Sequence, residues 1–519
     1  MITLESYLAG SWRAGRGKAA ILVNPATEAP LAETSSEGLD FGAACRHARE
    51  VGGPALRAMS YAERGALLLA MSTALHAHRD ELLDLAVANG GNTRGDAKFD
   101  VDGATGTLAA YGAFGRELGE GNVRYDGEGV ALGRSPKFWG EHLLASRTGV
   151  AVHINAFNFP AWGFAEKAAC ALLAGMPVIS KPATSTALLT WRMMKILVDE
   201  SALPGGAVQL VCGSAGDLLD HLGPQDVLAF TGSAETGFRL RSRESLLRAS
   251  VPVNVEADSL NAAVLGPDAA PGGDTWRLFV KDVVREVTQK AGQKCTAARR
   301  VIVPQERIDD VQAELAAALA ATVVGDPAHE GVRMGPVTTA RQLADGREGI
   351  GLLRDEADVV CGGPDPVRDT VGAPGGKGYF IAPTLLRARD AATASVVHRH
   401  EVFGPVTTLL AYDGDAARAA ELVARGEGSL VTSAYSDDRD WTEAFVRGAA
   451  PWNGRIYLGS EKVADVAFGS GAVLPQLVHG GPGRAGGGEE LGGLRGLSLY
   501  EQRTALQGGR GIVQRLFSR

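Results

Sequence analysis

Cys295 is the residue in this sequence best suited to nucleophilic chemistry. It lies in residues 289–296, a weakly polar stretch in which Gly292 and two lysines, Lys290 and Lys294, precede it. A buried structural thiol usually has apolar neighbours, whereas positive charge and backbone N–H groups stabilise a thiolate, the form that attacks a carbonyl carbon. An unperturbed thiol, with a pKa near ~8.5, is mostly protonated at neutral pH, so this help matters. Considered alone, the same stretch also suits an ordinary cysteine close to a loop.

Two further side chains have the chemistry to assist a thiol nucleophile. Asn158 lies between a strand-like run and a helix that starts at Pro160, and its amide could donate a hydrogen bond to an oxyanion. Glu256 ends the largely apolar run 253–255, where partial desolvation is expected to raise the pKa of its carboxyl towards that of a general base. Taken singly, Asn158 also suits a turn or a helix cap, and Glu256 also suits an ion pair.

Two stretches have the placement of a dinucleotide site. Lys181 directly follows a β run, so its ammonium is expected at the carboxyl end of a strand, where it can bind ribose hydroxyls or a phosphate. Thr231, Gly232 and Ser233 form a strand-turn-helix junction, and the N–H groups at the start of such a helix can bind a pyrophosphate. This junction is not the GxGxxG fingerprint, and a solvated surface lysine is the simple alternative for Lys181.

The elements that must position these residues alternate between strand and helix from residue 149 onwards. Short β runs separated by helical stretches predict parallel strands joined by crossovers, and hence a doubly wound sheet. In such sheets ligands bind at the carboxyl ends of the strands, where Lys181 and Thr231 fall. The predicted strands are 149–154, 177–180, 208–211 and 227–230, and the predicted helices are 160–173, 187–200, 217–222 and 235–248.

The whole chain is predicted to be an α/β protein with an appended arm. We expect two doubly wound α/β domains plus a small β oligomerisation arm. Residues 1–125 and 149–254 are assigned to a dinucleotide-binding domain, and residues 255–479 to a catalytic domain. Residues 126–148, which contain Gly, Ser and Pro before a strand-like segment, and the glycine-dense tail 480–519 are assigned to the arm.

Composition limits the class of protein. A chain of 519 residues is too long for one compact core, and 45% hydrophobic with 22% charged residues is typical of a soluble globular protein. The net charge of -8 argues against a nucleic-acid or acidic-membrane binder. No stretch reaches the ~18 apolar residues of a membrane span, and the N-terminus lacks a signal region, so we expect a cytoplasmic protein. The five cysteines are scattered without a CxxC pair, so neither disulfides nor a metal site is predicted.

Together these residues resemble the aldehyde dehydrogenase superfamily along almost the whole chain. By this resemblance Cys295 is the nucleophile that attacks an aldehyde, and Asn158 with the backbone N–H of Cys295 is the oxyanion hole. Glu256 resembles the base that activates the water that releases the acid. Further motifs occur in the order typical of that family: Leu203-Pro204-Gly205-Gly206, Gly325-Asp326-Pro327, Met334-Gly335-Pro336, residues 378–384 and Glu401-Val402-Phe403-Gly404-Pro405.

The resemblance also implies a nicotinamide cofactor. Glu401 matches the residue that holds the nicotinamide ribose, with Phe403 packing near the ring, and Lys181 and Ser233 match contacts to the adenosine ribose and the pyrophosphate. Many NAD-specific members carry a glutamate three residues after the lysine, and here that position is Thr184. The missing acid removes repulsion against a 2′-phosphate, which Lys181 can pair with. We therefore predict NADP as the cofactor, with NAD as the weaker alternative.

Further features distinguish this chain from typical members of the family and indicate the subgroup that it resembles. Residues 257–259 follow Glu256 where the family usually has glycines, so this loop is expected to differ in shape. Phe157, assigned to substrate binding, and the glycine-dense tail resemble a bacterial subgroup that oxidises CoA-thioester semialdehydes opened from aromatic rings. By this resemblance, members of the phenylacetate type carry an added hydratase domain, and we expect this protein to be of the stand-alone type. The resemblance thus implies oxidation of 3,4-dehydroadipyl-CoA semialdehyde, in benzoate breakdown, by a homodimer.

Two other functions stay open on the sequence. A CoA-acylating dehydrogenase would pass the acyl group to a thiol instead of water, and it would have little use for a base such as Glu256. A catalytically silent binding protein of the same fold would form no NADPH with any aldehyde, and its function would not depend on Cys295.

Overall fold

The computed structural model describes residues 1–373 and 375–517. Pro374 of the predicted catalytic domain and residues 518–519 of the predicted tail lie outside the described residues. The strands are β1 Ile2–Thr3, β2 Ser6–Leu8, β3 Ser11–Arg13, β4 Ala20–Val23, β5 Pro30–Thr34, β6 Arg124–Tyr125, β7 Val130–Ala131, β8 Phe138–Ser146, β9 Ala151–Ile154, β10 Val178–Lys181, β11 Val208–Leu210, β12 Val227–Thr231, β13 Val253–Glu256, β14 Ala262–Leu265, β15 Arg300–Pro304, β16 Ala357–Cys361, β17 Thr384–Ala388, β18 Val406–Tyr412, β19 Ser429–Tyr435, β20 Asn453–Gly459, β21 Val478–Gly480, β22 Glu489–Leu491 and β23 Glu501–Gly509. The α-helices are α1 Phe41–His47, α2 Gly53–Ala58, α3 Tyr61–Ala77, α4 Arg79–Gly90, α5 Arg94–Leu118, α6 Trp162–Ala174, α7 Ala187–Glu200, α8 Ala234–Arg241, α9 Glu244–Arg248, α10 Asp274–Thr288, α11 Ile308–Ala320, α12 Ala340–Leu353, α13 Ala416–Ala424, α14 Arg439–Ala449 and α15 Arg510–Val513.

The first large sheet has seven strands in the order β13-β12-β9-β10-β11-β2-β3. The first five are parallel, whereas β2 and β3 extend the sheet in antiparallel pairs. From β9 the chain winds in one direction through β10 to β11, and it then returns to the other side of β9 for β12 and β13. The winding therefore reverses between β9 and β12, which is the place where doubly wound sheets bind ligands.

Most predicted elements around this sheet are confirmed. The helix α7 has the predicted bounds, and Lys181 and Thr231 are the last residues of β10 and β12, at the carboxyl ends of their strands. The single helix predicted at 235–248 is wrong, because α8 and α9 are separated by two residues. One of these, Arg243, has an extended backbone, and its guanidinium donates to Asp220 Oδ1 at 2.6 Å, which holds the break.

The second large sheet also has seven strands, in the order β16-β17-β18-β15-β14-β19-β20. All neighbouring pairs are parallel except β16 with β17. The helices α10 and α11 pack on one face, and α12, α13 and α14 contribute to the hydrophobic core on the other. Two α/β sheets with helices on both faces confirm the predicted fold class.

The tail is divided between two places, since its last strand joins the arm. In the arm sheet, of order β23-β8-β6, the nine-residue strands β8 and β23 pair with each other, and β7 also pairs with β8. The hairpin formed by β21 and β22 lies instead against the first large sheet, where the N–H of Ala257 donates to the Ala485 carbonyl oxygen at 3.1 Å. The boundaries assigned to the domains stay a prediction. Among the described residues, no helix is both long enough and apolar enough to cross a membrane.

The loop that carries Cys295 joins α10 to β15 through a strained turn. Lys290 and Ala291 have φ angles of 55° and 51°, in the left-handed region. This region costs residues other than glycine on the order of 1–3 kcal/mol each and is tolerated only where the surroundings enforce it. At Gly292, with φ 66°, a Cβ atom would overlap the carbonyl oxygen of Gly404, so only glycine fits. The backbone before Cys295 is therefore fixed by close packing.

Candidate active site

A cleft of about 360 Å³ lies at the carboxyl ends of the first sheet's strands, within the usual size of small-molecule sites. The second α/β unit supplies Cys295, Glu401 and Phe403, so the cleft lies between the two large sheets. The structure thus brings together most of the predicted site. The residues predicted from the sequence that line the cleft are Phe157, Asn158, Thr231, Gly232, Ser233, Glu256, Cys295, Glu401 and Phe403.

A narrow cavity of about 30 Å³ adjoins this cleft. It shares Asn158, Thr231, Glu256 and Cys295 with the cleft, so the candidate nucleophile faces both spaces. A space of this size admits a water molecule. The cavity therefore offers room for a small reactant beside the thiol. Its remaining walls combine apolar side chains with polar and charged ones, among them Phe99, Phe159, Trp162, Val473, Glu166, Lys167 and His479.

Cys295 and Glu256 meet at His479, a residue that the sequence did not indicate. The Nε2 atom of His479 lies 3.8 Å from Cys295 Sγ and 3.2 Å from Glu256 Oε2. His479 belongs to β21 and lies opposite Glu490 of β22, so the hairpin in the glycine-dense tail brings both side chains to the site. The one local signal for His479 is its position directly before that tail, which is too weak to identify a site residue.

The expected rise in the pKa of Glu256 is wrong. Burial acts in that direction, but the positive charge of His479, its hydrogen bond and the ammonium of Lys167 outweigh it and hold the pKa of Glu256 well below its ordinary value. In return, the Glu256 carboxylate raises the pKa of His479 against the opposing effect of burial. Glu256 is therefore ionised at neutral pH and a weaker base than an isolated buried carboxylate would be.

The two lysines beside Cys295 do not stabilise its thiolate, contrary to the prediction. Lys294 is buried, and its Nζ atom lies 2.8 Å from Glu286 Oε2. Lys290 is also buried, with its Nζ atom 3.9 Å from Asp100 Oδ2. Both ammonium groups thus neutralise acids on neighbouring helices, because an unpaired buried cation would be costly.

The Cys295 thiol is protonated in the resting site. Burial, followed by repulsion from the charges of Glu256 and Glu166, raises the pKa of Cys295 well above its ordinary value. Attack by Cys295 therefore requires transfer of the thiol proton to a neighbouring group. Cys170 and Cys212, by contrast, lie in the hydrophobic core and are 2% and 0% exposed.

A single lysine pairs with the two buried acids next to Glu256. Lys167 Nζ lies 3.0 Å from Glu166 Oε1 and 3.0 Å from Glu490 Oε2. Burial, with repulsion from Glu166 and Glu256, raises the pKa of Glu490 to about 8 against the lowering effect of Lys167. The sequence contained a signal for part of this cluster, because Glu166 and Lys167 are two charged residues within an otherwise apolar helix.

The helix start predicted to bind a pyrophosphate is that of α8. Ser233 caps the helix, its Oγ atom accepting the Thr236 N–H at 3.4 Å. The Ala234 N–H is already bound by Asp258 Oδ1 at 2.9 Å. Asp258 lies in the loop after Glu256 that was expected to differ from the family, and its carboxylate occupies part of a terminus that favours negative charge. A pyrophosphate would therefore share the start of α8 with Asp258 and bind only N–H groups that Asp258 does not occupy.

Glu401 and Phe403 form the opposite wall of the cleft. The Glu401 carboxylate accepts the Ser259 N–H at 3.0 Å and the Arg299 Nε–H at 3.2 Å. The Phe403 ring meets Phe157 edge to face, with 5.8 Å between centroids. A carboxylate has about four acceptor positions, so Glu401 keeps capacity for the ribose hydroxyls that the resemblance assigns to it.

Lys181 and Thr184 lie at the edge of the cleft. Neither of them lines it, although Ala183 between them does. Lys181 is half-buried, and burial lowers the pKa of its ammonium. Thr184 begins a short helical turn, and its hydroxyl donates to the Gly213 carbonyl oxygen at 3.2 Å.

The comparison with known proteins assigns this arrangement to a family. The pattern of the aldehyde dehydrogenase family matches residues 12–470, most of the chain. The chain belongs to the aldehyde dehydrogenase family. It is therefore an oxidoreductase that acts on an aldehyde with a nicotinamide cofactor. The family predicted from the sequence is confirmed, whereas the roles of single residues stay predictions.

Individual relatives span nearly the whole aldehyde dehydrogenase chain. A 3,4-dehydroadipyl-CoA semialdehyde dehydrogenase of Aromatoleum evansii is 46% identical, over 92% of this chain and 93% of that protein. The crystal structure of lactaldehyde dehydrogenase from Escherichia coli has a TM-score of 0.83 at 26% identity and covers 98% of this chain and 99% of that one. Betaine aldehyde dehydrogenase from Staphylococcus aureus, solved in complex with NAD+, shares the fold with a TM-score of 0.83 at 20% identity and 98% coverage of both chains.

Replacing His479 with phenylalanine is expected to raise the pKa of Glu256, because it removes a cation and a hydrogen bond that hold it low. A hydrogen bond to a charged group contributes about 1.5–3 kcal/mol, which corresponds to about one to two pKa units. As the pH falls, the variant should therefore lose its Glu256 carboxylate at a higher pH than the unaltered protein. Infrared titration of the protonated carboxyl band, with the matching Glu256→Gln proteins subtracted, measures this shift.

The variant His479→Gln is the matched control. Its amide still donates a hydrogen bond but carries no charge, so the pKa of Glu256 should lie between those of the other two proteins. An unchanged titration in both variants would mean that Lys167 alone keeps Glu256 ionised.

Proposed function

We propose that this aldehyde dehydrogenase oxidises a CoA-thioester semialdehyde to the carboxylic acid, with NADP as its preferred cofactor. Cys295 Sγ attacks the aldehyde carbon, and its proton passes to the Glu256 carboxylate, which releases it to solvent. Asn158 and the N–H of Cys295 donate to the oxyanion of the hemithioacetal. The bound nicotinamide supplies the acceptor for the hydride that leaves this carbon. Cys295 is then acylated, and Glu256 takes a proton from the water that attacks the thioacyl carbon. The carbon–sulfur bond breaks, the carboxylic acid is released, and the Cys295 thiolate is reprotonated.

One observation carries this proposal: Cys295, Glu256 and Asn158 line the same narrow cavity beside the cleft. They come from three separate segments of the chain, so their meeting is a property of the fold. A nucleophile, an ionised base and an amide donor around one small space are the groups that acyl transfer through a covalent thioester requires. The cavity admits a water molecule, which supports hydrolysis over transfer to CoA.

Glu256→Gln is expected to separate hydride transfer from hydrolysis. The variant should produce a slowed burst of about one NADPH per Cys295, because the thiol proton must then leave to solvent without Glu256. It should then stall as a thioacyl enzyme, because its amide cannot accept a proton from water. Loss of a general base typically costs about 10²–10⁴-fold in rate, which sets the expected fall in steady-state turnover. Stopped-flow absorbance of NADPH and the mass of the intact protein measure the burst and the acyl adduct.

Cys295→Ala is the control for this experiment, since it should form neither NADPH nor an adduct. An unchanged steady state in Glu256→Gln would remove Glu256 from the mechanism. A burst that is followed by full turnover only on addition of free CoA would favour the acylating alternative.

The preference for NADP rests on the charges near the end of β10. Burial lowers the pKa of the Lys181 ammonium and so disfavours its charged form. A 2′-phosphate would supply the missing negative charge. Thr184 adds no negative charge three residues later, where NAD-specific members of the family carry a glutamate. The α8 terminus and Glu401 would hold the pyrophosphate and the nicotinamide ribose of either cofactor.

Thr184→Glu is expected to lower kcat/KM for NADP relative to NAD by at least about tenfold, equivalent to about 1.4 kcal/mol. The new carboxylate would repel the 2′-phosphate and accept the 2′-hydroxyl of NAD. Steady-state kinetics with both cofactors measure the ratio. Thr184→Gln, of similar size but uncharged, should change the ratio much less; equal ratios in all three proteins would refute this account of cofactor choice.

The substrate class is supported by the loop that leads from β20 to β21. Gly471 of this loop lines the narrow cavity, and nearby Val466 and Phe468 are 73% and 74% exposed. A cavity of about 30 Å³ holds little more than the reacting end of an aldehyde, so a longer chain must pass over such residues. The relative from Aromatoleum evansii, whose name specifies a CoA-linked semialdehyde, is similar over nearly the whole chain.

A comparison of 3,4-dehydroadipyl-CoA semialdehyde with the free six-carbon semialdehyde tests this substrate class. We expect kcat/KM to be at least about tenfold higher for the CoA-linked compound, because remote contacts contribute binding energy to the reacting complex. Phe468→Ser should reduce that advantage and leave the rate with acetaldehyde unchanged. A free aldehyde that matches the thioester in kcat/KM would exclude the proposed class.

A further inference from the structure

We propose that Cys295, His479 and Glu256 form a preformed binding site for a zinc ion, which inhibits the enzyme reversibly by capturing its nucleophile. A thiolate, an imidazole nitrogen and a carboxylate oxygen are the three ligand types that zinc uses in proteins. Here β13 supplies Glu256, the loop between α10 and β15 supplies Cys295, and β21 supplies His479. The three ligand atoms lie within 4.8 Å of one another.

The separations of these atoms match two edges of a tetrahedral zinc site. Zinc–sulfur bonds of about 2.3 Å, with bonds of about 2.0–2.1 Å to nitrogen and oxygen, place sulfur and nitrogen about 3.6 Å apart and nitrogen and oxygen about 3.4 Å apart. The observed distances are 3.8 Å from Cys295 Sγ to His479 Nε2 and 3.2 Å from this nitrogen to Glu256 Oε2. An ion could therefore enter with little movement of the three side chains.

The charge of the site also suits a divalent cation. A Cys295 thiolate beside the buried Glu256 carboxylate would place two negative charges close together around His479 Nε2. A zinc ion cancels both charges, and the resulting site with a neutral His479 carries no net charge. Binding releases the thiol proton to solvent, together with the Nε2 proton of His479, and forms the sulfur–zinc bond in place of the sulfur–hydrogen bond.

A neighbouring group of acids does not offer an equivalent site. Glu166, Glu256 and Glu490 also have oxygens within 4.8 Å of one another. However, Lys167 Nζ lies 3.0 Å from both Glu166 and Glu490, so an ammonium group is already bound by two of these three carboxyls. The space between Glu256 and Cys295 differs from this group of acids, because it opens onto the narrow cavity. A water molecule in that cavity can supply the fourth ligand.

Inhibition by this site rests on the proposed role of Cys295, whereas metal binding does not. Titration of the full-length enzyme with Co²⁺, a spectroscopic substitute for Zn²⁺, separates the two. We expect one equivalent to give intense visible bands of tetrahedral Co²⁺ and a thiolate-to-cobalt charge-transfer band, both of which Zn²⁺ bleaches. Zn²⁺ should also protect Cys295 from alkylation by iodoacetamide and stop NADPH formation until EDTA is added.

The variants His479→Gln and Cys361→Ser form the matched pair. His479→Gln should weaken Zn²⁺ binding at least about tenfold, because it removes one of three protein ligands. Cys361→Ser removes another half-buried free cysteine, on β16, and should leave the spectrum and the activity unchanged. Weak octahedral Co²⁺ spectra without a charge-transfer band, or equal Zn²⁺ affinities in His479→Gln and the unaltered enzyme, would overturn the proposal. Tetrahedral bands with undiminished turnover would support the metal site and contradict the role of Cys295.

Discussion

The Glu256 carboxylate, 3% exposed, is the constraint on which the rest of the site depends. An ionised group at this depth is costly unless opposite charges and hydrogen bonds surround it. The protein supplies His479 from β21 and Lys167 from α6, and the two together hold Glu256 ionised. The same charge adds to the effect of burial in disfavouring ionisation of the nucleophile, so the Cys295 thiol is protonated at rest. Base and nucleophile are thus coupled, and neither can change its charge without affecting the other.

The fold satisfies this constraint by joining segments that are distant in the chain. The first sheet ends in Asn158, Thr231 and Glu256 at the point where its winding reverses, which is where parallel sheets leave polar groups and backbone N–H groups unused. The second α/β unit presents Cys295 across this edge from a loop with two strained residues. The tail hairpin then closes the site with His479. A glycine-dense segment suits this task, because several of its glycines, among them Gly483, Gly486 and Gly487, have φ angles in the left-handed region.

The two wrong predictions about charge share one physical cause, because each inferred electrostatics from neighbours in sequence. Lys290 and Lys294 are adjacent to Cys295 in the chain, but their ammonium groups point to acids on α5 and α10. Glu256 follows apolar residues, as a buried base would, but cations from elsewhere in the chain outweigh the effect of burial. A charge acts over distances in space, and these distances depend on crossovers that separate residues by hundreds of positions.

The sequence by itself determined the family, the alternation of strand and helix, and the positions of Lys181, Thr231 and Glu256 at the ends of their strands. These features are local, because hydrophobic periodicity and turn residues fix each element within a few residues of chain. The tertiary structure alone decided which charges meet. It paired His479 with Glu256, joined Lys167 to Glu490, and bound Asp258 to the start of α8. Such contacts have no local signature, since they arise only when the two large sheets and the tail hairpin pack around one cleft.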